Sequence, residues 1–272
     1  MKIIMTSLLL LLFVFGVGAA VHAQGIEWET LNNEVSSLYR QGRYDRAVVV
    51  AKKALAVAEK AVGRDHPAVA TSLNNLALLY YTQGQYAQAE PLYKRSLAIN
   101  EKALGPEHPA VATSLNNLAE LYRAQGQYAQ AEPLYKRSLA IDEKAYGSNH
   151  PNVARDLNNL ATLYLAQGQY AQAEPLYKRS LAIKEKALGP EHPAIATSLN
   201  NLALLYNTQG QYAQAEPLYK RSLVISEKAL GPEHPAVATS LENMAALFRK
   251  TDREKEAEAL EKRAAAIRAI KR

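Results

Sequence analysis

The chain has 272 residues, 48% of them hydrophobic and 21% charged, with a net charge of +6 and no cysteine. That is enough apolar material for a sizeable core, and the missing cysteines exclude disulfides, thiol catalysis, thiolate metal sites and a lipid-modified N-terminal Cys. The positive excess does not describe a nucleic-acid surface. Counted in 42-residue stretches, those beginning at His66, His108 and His192 are neutral, the one at His150 carries +1 and the last, from His234, carries +3. Most of the excess therefore sits in the C-terminal KRAAAIRAIKR, read as a solvated helical end, and no nucleic-acid partner is expected.

At the N-terminus, Met1 and Lys2 give a positive end, an apolar run follows from Ile3 to about Gly18, and AAVHAQG closes it. This is the layout of a secretory signal peptide over residues 1–23, with small Val21 and Ala23 before the cut and Gln24 as the first mature residue. The run is short for a bilayer core, which favours cleavage over a retained anchor. The expected location is periplasmic or secreted, with no membrane insertion after cleavage.

Beyond residue 23 the chain repeats itself. The dipeptide HP recurs at His66, His108, His150, His192 and His234, always 42 residues apart, and GQYAQAEPLYKRSL returns unchanged from Gly84, Gly126, Gly168 and Gly210. A period of that length predicts a solenoid or a propeller. Extending the register gives six repeats, at about 24–65, 66–107, 108–149, 150–191, 192–233 and 234–272, filling a domain over 24–272. In the repeat from His66, the apolar residues Leu73, Leu76, Ala77 and Tyr80 recur at helical spacing, with Pro67 placed for a first turn. After a turn at Gly84, a second helical stripe runs through Ala89, Leu92, Tyr93, Ser96, Leu97 and Ala103, closed by GPEHP. Two antiparallel amphipathic helices cannot bury both apolar faces alone, so each pair must stack on the next.

Pro91 and its copies Pro133, Pro175 and Pro217 fall inside the second helix, about 200° round the wheel from the packed Ala89, and predict a bent or irregular first turn on the solvated face. The last repeat replaces the framework glycine with Asp252 and the following tyrosine with Glu254, which reads as a polar terminal cap.

The order Leu76, Ala77, Tyr80, Gly84, Tyr86, Ala89, Tyr93 resembles the tetratricopeptide repeat (TPR). The 42-residue length, with LNNLA, AEPLYKRSL and EKALGPEHP, is similar to the repeats of kinesin light chains. The resemblance covers nearly all of the chain after residue 23, but the N-terminal heptad coiled coil of a light chain is absent, so a motor role is not implied. It implies an all-α, right-handed solenoid of six helix-turn-helix repeats.

Candidate chemistry is sparse. Zinc ligands lie about 2 Å from the ion, whereas equivalent histidines in neighbouring repeats are at least a helix-packing distance of about 8–10 Å apart, so they cannot share a metal. Each is expected to cap or pack the start of a first helix. Glu107 and its copies fit the same place as carboxylates near a helix N-terminus. Ser96 beside Lys94 and Arg95 lies on the packing stripe and reads as a small buried residue, with the two cations on a solvated face. Tyr80, Tyr86, Tyr93 and Trp28 read as packing residues. No phosphate loop, dinucleotide fingerprint or carboxylate ligand cluster appears, so neither catalysis nor a cofactor is expected.

The face of the first helix opposite its packing stripe behaves differently. Asn75 recurs as Asn33, Asn117, Asn159, Asn201 and Asn243, and Asn74 as Asn32, Asn116, Asn158 and Asn200, with Glu242 last. Beside them, Leu78 becomes Glu120, Thr162 and Leu204, while Tyr81 becomes Arg123, Leu165 and Asn207. A side-chain amide carries both donor and acceptor, as reading an extended main chain requires. Resemblance implies that this face lines a concave groove in which aligned asparagines hold peptide main chain and the changing neighbours select side chains. The groove is nearly uncharged apart from Glu120, Arg123 and Arg155, unlike a Lys/Arg clamp for terminal carboxylates. The competing reading is that Asn75 bonds within the scaffold and the repeats are a recent duplication drifting at exposed positions. The expected function is binding of a protein or peptide partner, the alternative a structural envelope scaffold that self-associates.

Overall fold

The computed structural model describes residues 25–270; the expected signal peptide over residues 1–23 and its expected cleavage before Gln24 fall outside the described residues. Twelve helices and no strand occur among them: α1 (25–40), α2 (Tyr44–Val62), α3 (Pro67–Thr82), α4 (Tyr86–Leu104), α5 (Pro109–Ala124), α6 (Tyr128–Tyr146), α7 (Pro151–Ala166), α8 (Tyr170–Leu188), α9 (Pro193–Thr208), α10 (Tyr212–Leu230), α11 (Pro235–Lys250) and α12 (Glu254–Ala269). They form two compact units, one ending at Ile141 and the other beginning at Asp142. In the first, α2 packs on α3, α3 on α4 and α4 on α5; in the second, each helix from α7 to α12 packs on the next.

Local chemistry sets the helix ends. The five HP histidines are N-caps, each accepting at Nδ1 from the backbone N–H two residues on, at 3.1 Å for His66 and His108 and 3.2 Å for His150, His192 and His234. The proline between them supplies the first helical residue, where no N–H is needed. At the turn within a hairpin the backbone goes left-handed: Gly84 has φ +72°, and the same place in the last repeat is held by Asp252 at φ +58°, the one described non-glycine residue with positive φ.

Between the helices, α3 buries Val69, Ala70 and Leu73 against Ala58 and Ile99. The same set returns as Val111, Ala112, Leu115 and Ile141, then as Ile195, Ala196, Leu199 and Ile225. Trp28 packs on the first set and donates Nε1 to Ser72 Oγ at 2.8 Å. The KRS serines are buried as expected, each donating Oγ to a first-helix carbonyl: Ser96 to Ala70 at 2.8 Å and Ser222 to Ala196 at 2.8 Å. At the far end, α12 buries Ala257, Ala264 and Ile267 and turns a charged outer face to solvent.

Two expectations need correction. Helix α4 is unbroken from Tyr86 to Leu104, with no irregular turn at Pro91. The proline is exposed and one turn inside the helix, and the carbonyl it leaves without a donor is on exposed Ala87, where solvent can reach it. Arg95 is not an idle solvated side chain either. It bonds Glu59 at 2.6 Å and the Arg64 carbonyl at 3.3 Å, and Arg137 repeats this with Glu101 and the Pro106 carbonyl, tying each second helix to the preceding repeat. Its neighbour Lys94 is the exposed one, paired with Glu90 along the same helix.

Candidate functional site

Most asparagines of the first helices are half-buried, and four pairs of them are bonded to one another. Asn75 donates Nδ2 to Asn32 Oδ1 at 2.9 Å and Asn117 does the same to Asn74 at 2.7 Å. In the second unit Asn201 bonds Asn158 and Asn243 bonds Asn200, both at 3.0 Å. The register is constant because the two asparagines are adjacent on one helix, so the second of one repeat meets the first of the repeat before it. Each rung spends one donor and one acceptor of the two amides. Oδ1 of Asn75, Asn117, Asn201 and Asn243 receives no hydrogen bond from the described residues, nor do Asn74 and Asn200 donate one. Asn158 donates to Asn159 at 3.4 Å; Asn33 is exposed and Asn116 is buried.

The changing neighbours are also placed. Leu78, 36% exposed, lines a cavity of about 210 Å³ with Val35, Tyr39, Leu79 and Asn75, joining two expected site residues in one apolar recess. In the next repeat the recess is replaced by a polar knot. Glu120 accepts from Tyr81 Oη at 2.9 Å, from Tyr135 Oη at 2.7 Å and from Arg123 Nε and Nη2 at 2.9 and 2.5 Å. Burial alone would push the Glu120 carboxyl up, but Arg123 and the two hydroxyls hold it below the ordinary carboxylate range. Burial, then the Glu120 charge, pushes the Tyr81 hydroxyl up, so it stays a donor. In the second unit Thr162 bonds Tyr177 Oη at 2.9 Å, Leu165 is half-buried, Leu204 is 37% exposed and Asn207 is buried.

Sequence reasoning missed a row on the second helices. Within the near-constant block LAIxEKA one position changes every time, as Asn100, Asp142, Lys184 and Ser226, with Ala58 in the first repeat. That variation was the available signal. The structure points these side chains inward, at the junction with the next first helix. Asn100 donates to Ser114 Oγ at 3.0 Å, and Lys184 to Ser198 Oγ at 2.8 Å. Asp142 and Asp156, both fully buried, are bridged by Arg155 Nη2 at 3.1 and 2.8 Å. Cavities of about 230 and 170 Å³ open at two of the junctions, lined by Asn74, Asn100 and Ser114 in the first unit and by Asn200, Ser226 and Ser240 in the second. Arg155, expected in the groove, is therefore occupied with aspartates.

Family comparison agrees with this geometry. The tetratricopeptide-repeat model matches residues 29–102, 81–144, 110–186, 157–227 and 194–269. The chain belongs to the tetratricopeptide-repeat family. Among solved structures, this TPR chain is similar to a Podosopora anserina kinesin light chain-type protein with nearly identical TPR-like repeats, at 34% identity and TM-score 0.62 over 75% of this chain and 97% of that one. BtubC (BKLC) from P. vanneervenii shares the TPR fold at 23% identity and TM-score 0.65, over 91% of each chain. A Rap protein complexed with competence and sporulation factor does so at 16% identity and TM-score 0.65, over 89% of this chain and 74% of that one. No curated protein sequence matches. Among the described residues no helix is long and apolar enough to cross a membrane.

Proposed function

We propose that this chain is an exported, non-enzymatic TPR scaffold that binds an extended segment of a partner protein along the exposed face of its first helices. The observation that carries the reading is the set of asparagine rungs. Each fixes two amides in orientation through one mutual bond and leaves an acceptor on the second asparagine; at Asn74 and Asn200 the donors are unused as well, whereas Asn32 spends one on the Trp28 carbonyl and Asn158 one on Asn159, and the free acceptors and donors suit the alternating C=O and N–H of an extended chain. The recess beside Leu78 supports it with room for one apolar side chain. A Rap protein of the same fold has been solved with competence and sporulation factor, so the fold can serve a partner. Export rests on the signal-peptide layout of residues 1–23 and is checked by mass spectrometry, which should find Gln24 first.

The binding test selects peptides from a displayed library on the wild-type chain and rebinds them to two variants. Asn75→Ala with Asn117→Ala should weaken binding several-fold to about a hundredfold, from two lost hydrogen bonds of roughly 0.5–1.5 kcal/mol each. Leu78→Asp, at an exposed position, should lose peptides with an apolar anchor while shifting the melting curve little. If the asparagine variant binds normally yet melts several degrees lower, the rungs serve only the scaffold.

A second reading, self-association, draws on one observation. The last long side chains of the second helices stay exposed: Val62 and Leu104 in one unit, Tyr146, Leu188 and Leu230 in the other, at 37–44%. Concentration-dependent sedimentation in a chain that selects no peptide would favour it.

A further inference from the structure

The inward-facing row on the second helices contains one charge that the protein does not answer. At the junction of α6 with α7, the buried Asp142 and Asp156 are met by Arg155. At the junction of α8 with α9, Lys184 is half-buried and its Nζ donates to Ser198 Oγ at 2.8 Å, but no carboxylate among the described residues lies within 4 Å of it. Ser198 cannot supply counter-charge: its Oγ is turned to the Ala194 carbonyl, 3.4 Å away. Burial pushes the Lys184 ammonium down from its ordinary value, with no opposing charge. An ammonium held in that way is costly to the fold, and two of its donors are unused.

Equivalent positions in two other repeats are open. One repeat further on, the same place is the cavity of about 170 Å³ at Ser226 and Ser240, and in the first unit it is the cavity of about 230 Å³ at Asn100 and Ser114. Each cavity has a ladder asparagine in its lining, Asn200 or Asn74, so the cavities adjoin the rungs. In the 42-residue register, Asn158 is the equivalent asparagine for Lys184.

We propose that Lys184, with Ser198, forms a carboxylate-binding pocket between α8 and α9, taking an Asp or Glu side chain of the bound partner segment. The pocket deepens the peptide-binding reading above and rests on it for its biological occupant. Lys184 supplies charge and hydrogen bonds, Ser198 orients the ammonium, and the junctions at Asn100 and Ser226 accept uncharged polar groups instead. The buried row thus acts as a second set of selecting positions, beside the exposed set at Leu78, Glu120, Thr162 and Leu204.

The test uses the mature chain and Lys184→Ser, a residue the scaffold already accepts as Ser226. Peptides from a displayed library, amidated at the C-terminus on resynthesis, are compared with copies in which each acid is changed to its amide. Wild type should prefer the acid by about tenfold or more at one position, and Lys184→Ser should lose only that preference. Peptide binding with no acidic preference would overturn the pocket and leave the groove standing. If wild type selects no peptide, the groove reading falls, and acetate against acetamide at constant ionic strength decides the pocket. A chemical-shift change around Lys184 with acetate, absent in Lys184→Ser, upholds it; no change overturns it. A preference restricted to free C-termini would show that the occupant is a terminal carboxylate and overturn the side-chain assignment.

Discussion

The buried aspartate pair offers a quantitative test of the junction chemistry. Asp142 carries three handicaps: full burial, the neighbouring Asp156 charge, and an Oδ1 with no hydrogen-bond donor. Burial first and Asp156 second push its carboxyl up to about 6 from 3.8, against the pull of Arg155. The native state therefore keeps a proton that the unfolded chain has released, and stability falls as pH rises through roughly 4 to 6. A shift of that size corresponds to about 3 kcal/mol at most, and to about 1–2 kcal/mol once discounted because Arg155, 38% exposed, keeps water close. Asp142→Asn, which installs the residue found at position 100, removes the charge and gives a donor toward Asp156. The variant should be more stable than wild type by about 1–2 kcal/mol at pH 7.5, with the difference vanishing near pH 4. Urea unfolding of both chains at four pH values, followed by circular dichroism, reads this directly. A variant less stable at pH 7.5, or a difference that does not shrink in acid, would refute the account.

Other positions test the framework. Asp252→Gly should stabilise the last hairpin by about 0.5–1 kcal/mol, since a left-handed backbone strains an L side chain; thermal melting with no gain would show that Asp252 is unstrained. His108→Ala should cost about 1 kcal/mol through the lost N-cap and His108→Asn should restore most of it, in the same melting assay. Glu120→Leu should cost about 1–3 kcal/mol by orphaning Arg123 and Tyr135. Adding Arg123→Asn recreates the Leu204 and Asn207 arrangement and should recover part of the loss, measured as a double-mutant cycle. Because the Glu120 carboxyl is held low, its contribution should be complete at neutral pH and be lost progressively as the pH falls from the ordinary carboxylate value through the lower folded one.

What the letters revealed followed from repetition and local rules. Spacing of Leu73, Leu76 and Ala77 determined the first helix, HP its start, Gly84 its end, and the small Ser96 its burial, because each depends on neighbours within a turn or two. The asparagine rungs were half legible. The recurrence of Asn74 and Asn75 was plain, but their pairing depends on the offset of adjacent helices, which no single helix encodes. Arg95 was misread because its partners, Glu59 and the Arg64 carbonyl, lie in the preceding repeat. The row through Asn100, Asp142, Lys184 and Ser226 escaped because changing polar residues usually mark a solvated surface, whereas here the helix turns them into a junction.

The middle junction also bears on how the chain finds its own order. GQYAQAEPLYKRSL offers the same surface four times, so during folding a second helix can dock almost equally well on a neighbour that is not its own. Most junctions would not object, since Ser114, Ser198 and Ser240 are interchangeable serines. Helix α6 is the exception: away from α7 it would bury Asp142 without Arg155, the cation that meets it. A costly pair at one place thereby sets the last turns of α6 apart from the other second helices, which share its repeated block.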